Sequence, residues 1–419
     1  MRRSTGRHAW LGIGLALAAL MAPPSVLGQI PEGFEMVRLT GFGLYSRPDI
    51  NNRGEVIWSY SIPPDVSDLY LFKGGIIRKI TNEDWYEHSP SINDDGDHAF
   101  AQTTDFFGTS DVVVRKNGEV LLFKSANASQ QPDINNAGQV VWQDRFSKED
   151  ASDIRVFLFN GNDVQQITNN GISNQAPRIN NLEKIVWDAT DTAAPGNPST
   201  IMLYDDGALS ALTDNKKLRT GPHINDFQQV VWNESDFDGQ NDRVVLWENG
   251  VATEFIRGEV AGPSINNIGD ITYVRWNEMQ GWWELWLHKA RDQAAFMIPN
   301  QGFSHTGGPV GMNECGELAW RSRLPGGGNP STVFLLRRVA PTGDFNHDCR
   351  IDAVDFSIIE NCFTGNRNGP PDGLYGDCTR ADFDEDGDVD ETDLSQFMNA
   401  HGGPAQAVID CQFVEVCGS

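Results

Sequence analysis

The 419-residue sequence concentrates one kind of chemistry in its last fifth, where oxygen-bearing side chains recur at fixed intervals. Asp382, Asp384 and Asp386 stand at positions 1, 3 and 5 of a twelve-residue segment, with Gly387 at 6, Asp388 at 7, Asp390 at 9 and Asp393 at 12. Upstream, Asp344, Asn346, Asp348, Arg350, Asp352 and Asp355 fill the matching slots, Arg350 through its main-chain carbonyl. Ca2+ is a hard cation that takes about six to eight oxygen ligands, and this spacing curls a short loop so that its donors converge. The pattern predicts two calcium sites. The first is expected to be the weaker, because Cys349 holds the place of the bend-permitting glycine and carries a β-carbon. A merely solvated acidic run would not fill the same slots twice.

Elements must position these loops. An amphipathic run follows each one: Val354, Phe356, Ile358, Ile359 and Phe363 after the first, Leu394, Phe397 and Met398 after the second. Gly402 and Gly403 then stop the second run, so the tail, 341–419, reads as a small α domain of two loop-helix units. At the other end, Arg2, Arg3 and Arg7 precede the apolar stretch Leu11 to Ala22, with small residues up to Gly28. This is the layout of a secretory signal peptide, 1–28, cut near Gly28. The stretch is shorter than the roughly 20 residues a membrane span needs. A secreted, periplasmic or cell-surface protein without a membrane span is expected.

Export favours disulfides over metal thiolates. Cys349, Cys362, Cys378, Cys411 and Cys417 lie in the tail and only Cys315 before it. Five is odd, so Cys315 is expected to pair with one of them; Cys362 and Cys378, flanking a Gly/Pro-rich stretch, are the expected pair within the tail. With 58 acidic against 32 basic side chains the chain carries a formal charge of −26, which excludes a nucleic-acid partner. At 39% hydrophobic it can still build a core.

Residues 29–340 repeat. Seven asparagines, Asn51, Asn93, Asn135, Asn180, Asn225, Asn266 and Asn313, follow one another at intervals of 42, 42, 45, 45, 41 and 47. Around them the text recurs, as Pro-Asp-Ile-Asn-Asn-Arg-Gly-Glu-Val-Ile-Trp at 48–58 and Pro-Asp-Ile-Asn-Asn-Ala-Gly-Gln-Val-Val-Trp at 132–142. Seven residues beyond each asparagine stands an aromatic: Trp58, Phe100, Trp142, Trp187, Trp232, Tyr273 and Trp320. Asn followed three residues on by Gly makes a tight turn between strands. Glu183 and Gln228 replace that Gly in units four and five, which predicts two turns built differently. Further β-rich runs complete four short strands per unit, the signature of a propeller blade. The seventh unit ends at Val339 without its fourth strand, and Glu35 to Thr40 supplies a matching one from the start of the chain. The expected fold is mainly β, a seven-bladed β-propeller closed by its N-terminal strand, followed by the α tail.

The succession Ile/Leu-Thr, Pro, then I-N-N-x-G-x-V-x-W resembles TolB/WD40-like propeller repeats and the HAF and NxxGxxAF repeats of secreted bacterial proteins. It covers about 310 residues and speaks to fold more than to activity. Asp at position 12 and the loop-then-helix order make Gly343 to Gly403 resemble a dockerin type I domain, an EF-hand-like module of cellulosome components. That resemblance implies calcium binding, a cohesin-like protein partner and a setting in polysaccharide catabolism. Positions 10 and 11, where dockerins present partner-reading side chains, hold Ala353-Val354 and Glu391-Thr392 instead of a matched Ser/Thr pair.

The residue two before each anchor asparagine varies inside a fixed frame: Asp49, Ser91, Asp133, Arg178, His223, Ser264 and Gly311. On an innermost strand these would line a central channel and could meet a ligand; alternatively they are simply solvated. Trp282, Trp283 and Trp286, and Trp85 with Tyr86, are either sugar-stacking aromatics or blade interior. Asp236, Asp238 and Asp242 read as a hairpin loop. No catalytic motif appears. The expected function is that of a monomeric recognition or scaffold protein, the propeller being its binding platform and the tail its calcium-dependent interaction module. The alternative is a carbohydrate-active hydrolase with its site on one propeller face.

Overall fold

The structure is a computed structural model and describes residues 28–62, 66–82, 85–103, 109–125, 128–145, 153–237, 241–291, 293–306, 308–325, 330–339, 353–363, 381–384 and 387–400. Among these residues the strands pair into seven antiparallel sheets, numbered 1 to 7 along the chain from Leu44; sheets 2 to 6 have four strands each, and in sheets 1 and 7 the inner strand is split into two short pieces. Sheet 3 is typical, with Ala128–Ile134 innermost, then Val140–Arg145, Ile154–Phe159 and Val164–Gln166. Single-residue parallel bridges such as Ser67–Tyr86 and Ile154–Ser173 tie one sheet to the next.

The last sheet takes its fourth strand from the start of the chain. Phe34–Arg38 runs antiparallel to Ser331–Arg338, pairing Phe34 with Arg338 and Arg38 with Phe334. Side-chain chemistry gives this strand the same role as its counterparts. The Thr40 hydroxyl accepts the Val333 N–H at 3.0 Å, as Thr81 accepts from Leu69 at 2.8 Å, Thr168 from Val156 at 2.9 Å and Thr213 from Ile201 at 3.0 Å. The Ile/Leu-Thr pair of the repeat is therefore a clamp on the third strand.

Each anchor asparagine builds its turn and also reaches the neighbouring sheet. Asn51 Oδ1 accepts the N–H groups of Arg53 at 3.1 Å and Glu55 at 3.0 Å, while its Nδ2 donates to the Asn93 carbonyl at 2.9 Å. The same donation runs from Asn93 to Asn135, Asn180, Asn225, Asn266 and Asn313, and Asn313 closes the circle on the Asn51 carbonyl at 3.0 Å. All seven are 3 to 4% exposed, so each bond is made where water cannot substitute.

Glu183 and Gln228 require a correction, since their turns are not built differently. They adopt φ of 59° and 60°, close to the 68° of Gly54, and their N–H groups bond Asn180 and Asn225 as Gly54 bonds Asn51. The asparagine bonds hold the left-handed conformation even where a β-carbon opposes it, at a cost of roughly 1 kcal/mol.

The seven repeat aromatics are all at most 4% exposed and form the interior between sheets; Trp187, for example, packs with Val141, Val156 and Leu158 of sheet 3. In the tail, helix α1 (Ala353–Cys362) and helix α2 (Glu391–Ala400) share a small core of Ile359, Cys362, Ala381, Val389 and Phe397. Among the described residues no helix is long and apolar enough to cross a membrane. The expected signal segment up to residue 27 lies outside the described residues.

Candidate metal centre and channel wall

The second loop folds around Asp393, which sits in the first turn of α2 and is fully buried. Its Oδ1 accepts the Phe383 N–H at 2.6 Å and its Oδ2 the Asp390 N–H at 2.8 Å. Gly387, at φ 94°, makes the bend and donates its N–H to Asp382 Oδ2 at 3.0 Å. Asp390 caps α2 by accepting the Thr392 N–H at 2.6 Å. Asp382, Asp384 and Asp393 bring one carboxylate oxygen each to within 4.8 Å of one another, and Asp388, Asp390 and Asp393 do likewise. Carboxylates crowded in this way repel unless a cation lies among them, and an all-oxygen, anionic donor set suits calcium over softer metals. When bound, calcium would supply charge neutralisation and cross-link the loop to the start of α2.

Asp386 and the first-loop residues Asp344, Asn346, Asp348, Arg350 and Asp352 lie outside the described residues, as do Cys349, Cys378, Cys411 and Cys417. Asp355, last in the first loop, is fully buried in α1, as Asp393 is in α2.

The residues two before each asparagine stand on or beside the inner strands, and most are bonded to the next sheet. Asp49 accepts the Ile92 N–H at 3.0 Å, Asp133 the Ile179 N–H at 2.9 Å, Ser91 the Ile134 N–H at 3.4 Å and His223 the Ile265 N–H at 3.4 Å. Ser264 instead donates to the Val310 carbonyl at 2.9 Å. These five bond one sheet to the next, whereas Arg178 makes no such bond among the described residues and Gly311 has no side chain to make one. Burial raises the Asp49 carboxyl to about 6 and lowers His223 to about 3, so the imidazole is neutral and free to accept.

Two further features escaped the sequence reading. In sheets 2 to 6 the residue before the inner-strand proline takes left-handed φ, at Ser89, Gln131, Ala176, Gly221 and Gly262, and the strand register slips there. A β-bulge thus turns each inner strand at the same point, and the invariant x-Pro step was its available signal. The residue after each anchor asparagine forms a second circle. The backbone N–H groups of Asn52, Asp94, Asn136, Asn181, Asp226, Asn267 and Glu314 each donate to the side-chain oxygen of the next member, at 2.7 to 3.0 Å.

The aromatic clusters belong to the blades. Trp282, Trp283 and Trp286 lie on the strand Trp282–Lys289, Trp286 stacking on Tyr273 at 6.4 Å and Trp283 meeting Trp276 edge-on at 5.6 Å. Asp236 is engaged by Asn241 Nδ2 at 2.8 Å, in keeping with a hairpin loop.

Comparison with known proteins gives one family match: residues 342–400 fit the model described as "Dockerin type I domain". Residues 342–400 thus match a dockerin type I domain. Dockerins of this type bind calcium and pair with cohesins, and proteins that carry them are typically extracellular. No curated protein sequence matches the chain. Among solved structures, the β-propeller domain of the trilobed protease from Pyrococcus furiosus aligns with a TM-score of 0.52 at 12% identity, over 68% of this chain and 92% of that one. The acylaminoacyl peptidase of Pyrococcus horikoshii gives 0.53 at 14% identity, over 76% of this chain and 54% of that one. The chain thus spans about half the length of that peptidase. These likenesses establish a propeller fold ahead of the dockerin domain and extend to fold alone.

Proposed function

We propose that this protein is an exported, non-enzymatic recognition protein whose propeller is a binding platform and whose dockerin domain attaches it, through calcium, to a cohesin-bearing partner in a polysaccharide-degrading assembly. The observation that carries this reading is the coincidence of the dockerin match with the carboxylates converging on Asp393. Cys315 and Cys362 are both in disulfides; that Cys362 pairs with Cys378 and Cys315 with another tail cysteine is part of this proposal. The test is capture of the whole chain on an immobilised type I cohesin. Capture in millimolar calcium that chelator reverses is expected; no capture in calcium would refute the cohesin assignment.

A further inference from the structure

The turns that follow the inner strands stand side by side at one end of the propeller, and the residue at each tip varies. In sheets 1 to 3 the tips are Arg53, Asp95 and Ala137, and Arg53 pairs with Asp95 at 3.5 Å. The next three are Leu182, Phe227 and Ile268, exposed by 58, 66 and 51%. The seventh tip is Cys315. Hydrogen bonds fix these last four as neighbours, because each directly follows a member of the second circle. The Asn181 N–H donates to Asp226 Oδ1 at 2.8 Å, the Asp226 N–H to Asn267 Oδ1 at 2.7 Å and the Asn267 N–H to Glu314 Oε2 at 2.7 Å. Single exposed apolar side chains are common, but three at equivalent places on adjoining turns make a continuous apolar strip.

Two observations say what covers the strip. Cys315 is in a disulfide, and every other cysteine lies at 349 or beyond, so a bond within the chain brings the tail to the end of the strip. The tail also starts there. The Arg338 N–H donates to Glu317 Oε1 at 2.9 Å, and Glu317 and Cys315 both donate their N–H groups to Asn313 Oδ1, at 2.9 and 3.1 Å. The chain therefore leaves sheet 7 beside the turn that carries Cys315. Only residues 340 and 341 separate Val339 from the start of the dockerin match at 342.

Beyond helix α2 the chain continues from 401 to 419, where Val408, Ile409, Phe413, Val414 and Val416 surround Cys411 and Cys417. Ile409, Cys411 and Phe413 alternate with Asp410 and Gln412, the period of a strand with one apolar face. The stretch from Ala400 to Cys411 spans up to about 35 Å when extended. A domain the size of 342–400 has a radius of gyration of about 10 Å, so these apolar residues come within reach of the strip.

We propose that the chain's own C-terminal segment, 404–419, lies along Leu182, Phe227 and Ile268 and fastens the dockerin domain against the propeller. The inference takes the bond from Cys315 to the tail from the reading above and adds the surface that the tail occupies. Propeller and dockerin then move as one body, and a cohesin partner would hold the propeller in a set orientation.

The experiment is hydroxyl-radical footprinting of the whole chain in calcium, with its disulfides intact, read by mass spectrometry at Phe227 and Phe237. Phe237 follows the strand Val230–Ser235 at the end remote from the turns and is 47% exposed. Phe227 should be labelled several-fold more slowly than Phe237, although it is the more exposed of the two among the described residues. Ile409→Asp with Phe413→Asp should raise the labelling of Phe227 several-fold and leave Phe237 unchanged. Phe227 labelled as fast as Phe237 in the wild type, or unchanged in the double variant, would overturn the proposal. Protection that fades on dilution would give the strip to a second copy of the chain and overturn it equally. Non-reducing peptide mapping separates this inference from the disulfide reading: Cys315 bonded to a tail cysteine beside an unprotected Phe227 would leave the bond standing and remove the seat. Cys315 joined to a second chain would remove both.

Discussion

Glu314 occupies the place where six other repeats put Asn or Asp, and its longer side chain still accepts the Asn267 N–H at 2.7 Å. Burial, followed by repulsion from Asp226 and Asp94, raises its carboxyl from 4.5 to about 7. The folded state therefore favours the protonated acid. Its contribution to stability is complete below about pH 4.5 and is lost as the pH climbs through about 7. Glu314→Gln keeps the acceptor and removes the titration. Urea unfolding should find the variant equal to wild type near pH 4 and more stable at pH 8 by on the order of 1 to 3 kcal/mol. Equal stability at pH 8 would show that this carboxyl ionises without cost. Trp232 and Trp187 illustrate how far a repeat leaves individual environments open: both are buried at the same offset, but only Trp187 Nε1 finds an acceptor, Asn174 Oδ1 at 2.9 Å.

At the scale of the element, the turn after each inner strand was legible and the seam it makes was not. Asn-x-x-Gly is local chemistry, so the sequence exposes it directly. The Nδ2 bond to the next sheet joins atoms 41 to 47 residues apart along the chain and leaves no local mark. Turn and seam can be separated by Asn135→Asp, which keeps the oxygen that accepts Gln139 N–H at 2.9 Å and loses the donor to the Asn180 carbonyl. A buried carboxylate facing that carbonyl should cost about 2 to 4 kcal/mol. A variant as stable as wild type in thermal melts would mean that the turn alone explains the repeat. Strand order and the borrowed N-terminal strand were readable because the Ile/Leu-Thr pair recurs at 39–40 as at 80–81 and 167–168. The bulges and the sheet-to-sheet bonds were not, because they depend on how neighbouring inner strands approach one another. In the tail, the spacing of Asp382, Asp384 and Asp393 anticipated their convergence, since a twelve-residue loop constrains its own geometry.

The whole molecule divides its charge unevenly. Residues 341–419 hold 17 acidic and 3 basic side chains, a net of −14 out of −26 in under a fifth of the length. Where its carboxylates are described they face one another around Asp393. An acidic, metal-ready tail behind a propeller fits the proposed role of a binding platform tethered at one end. That account depends most on the tail holding metal. The direct measurement is a calcium titration of the metal-free whole chain by calorimetry, with Asp393→Asn beside it. Two calcium ions per chain are predicted for the wild type and one for the variant. No calcium uptake by the wild type, or the same stoichiometry and affinity after Asp393→Asn, would contradict it.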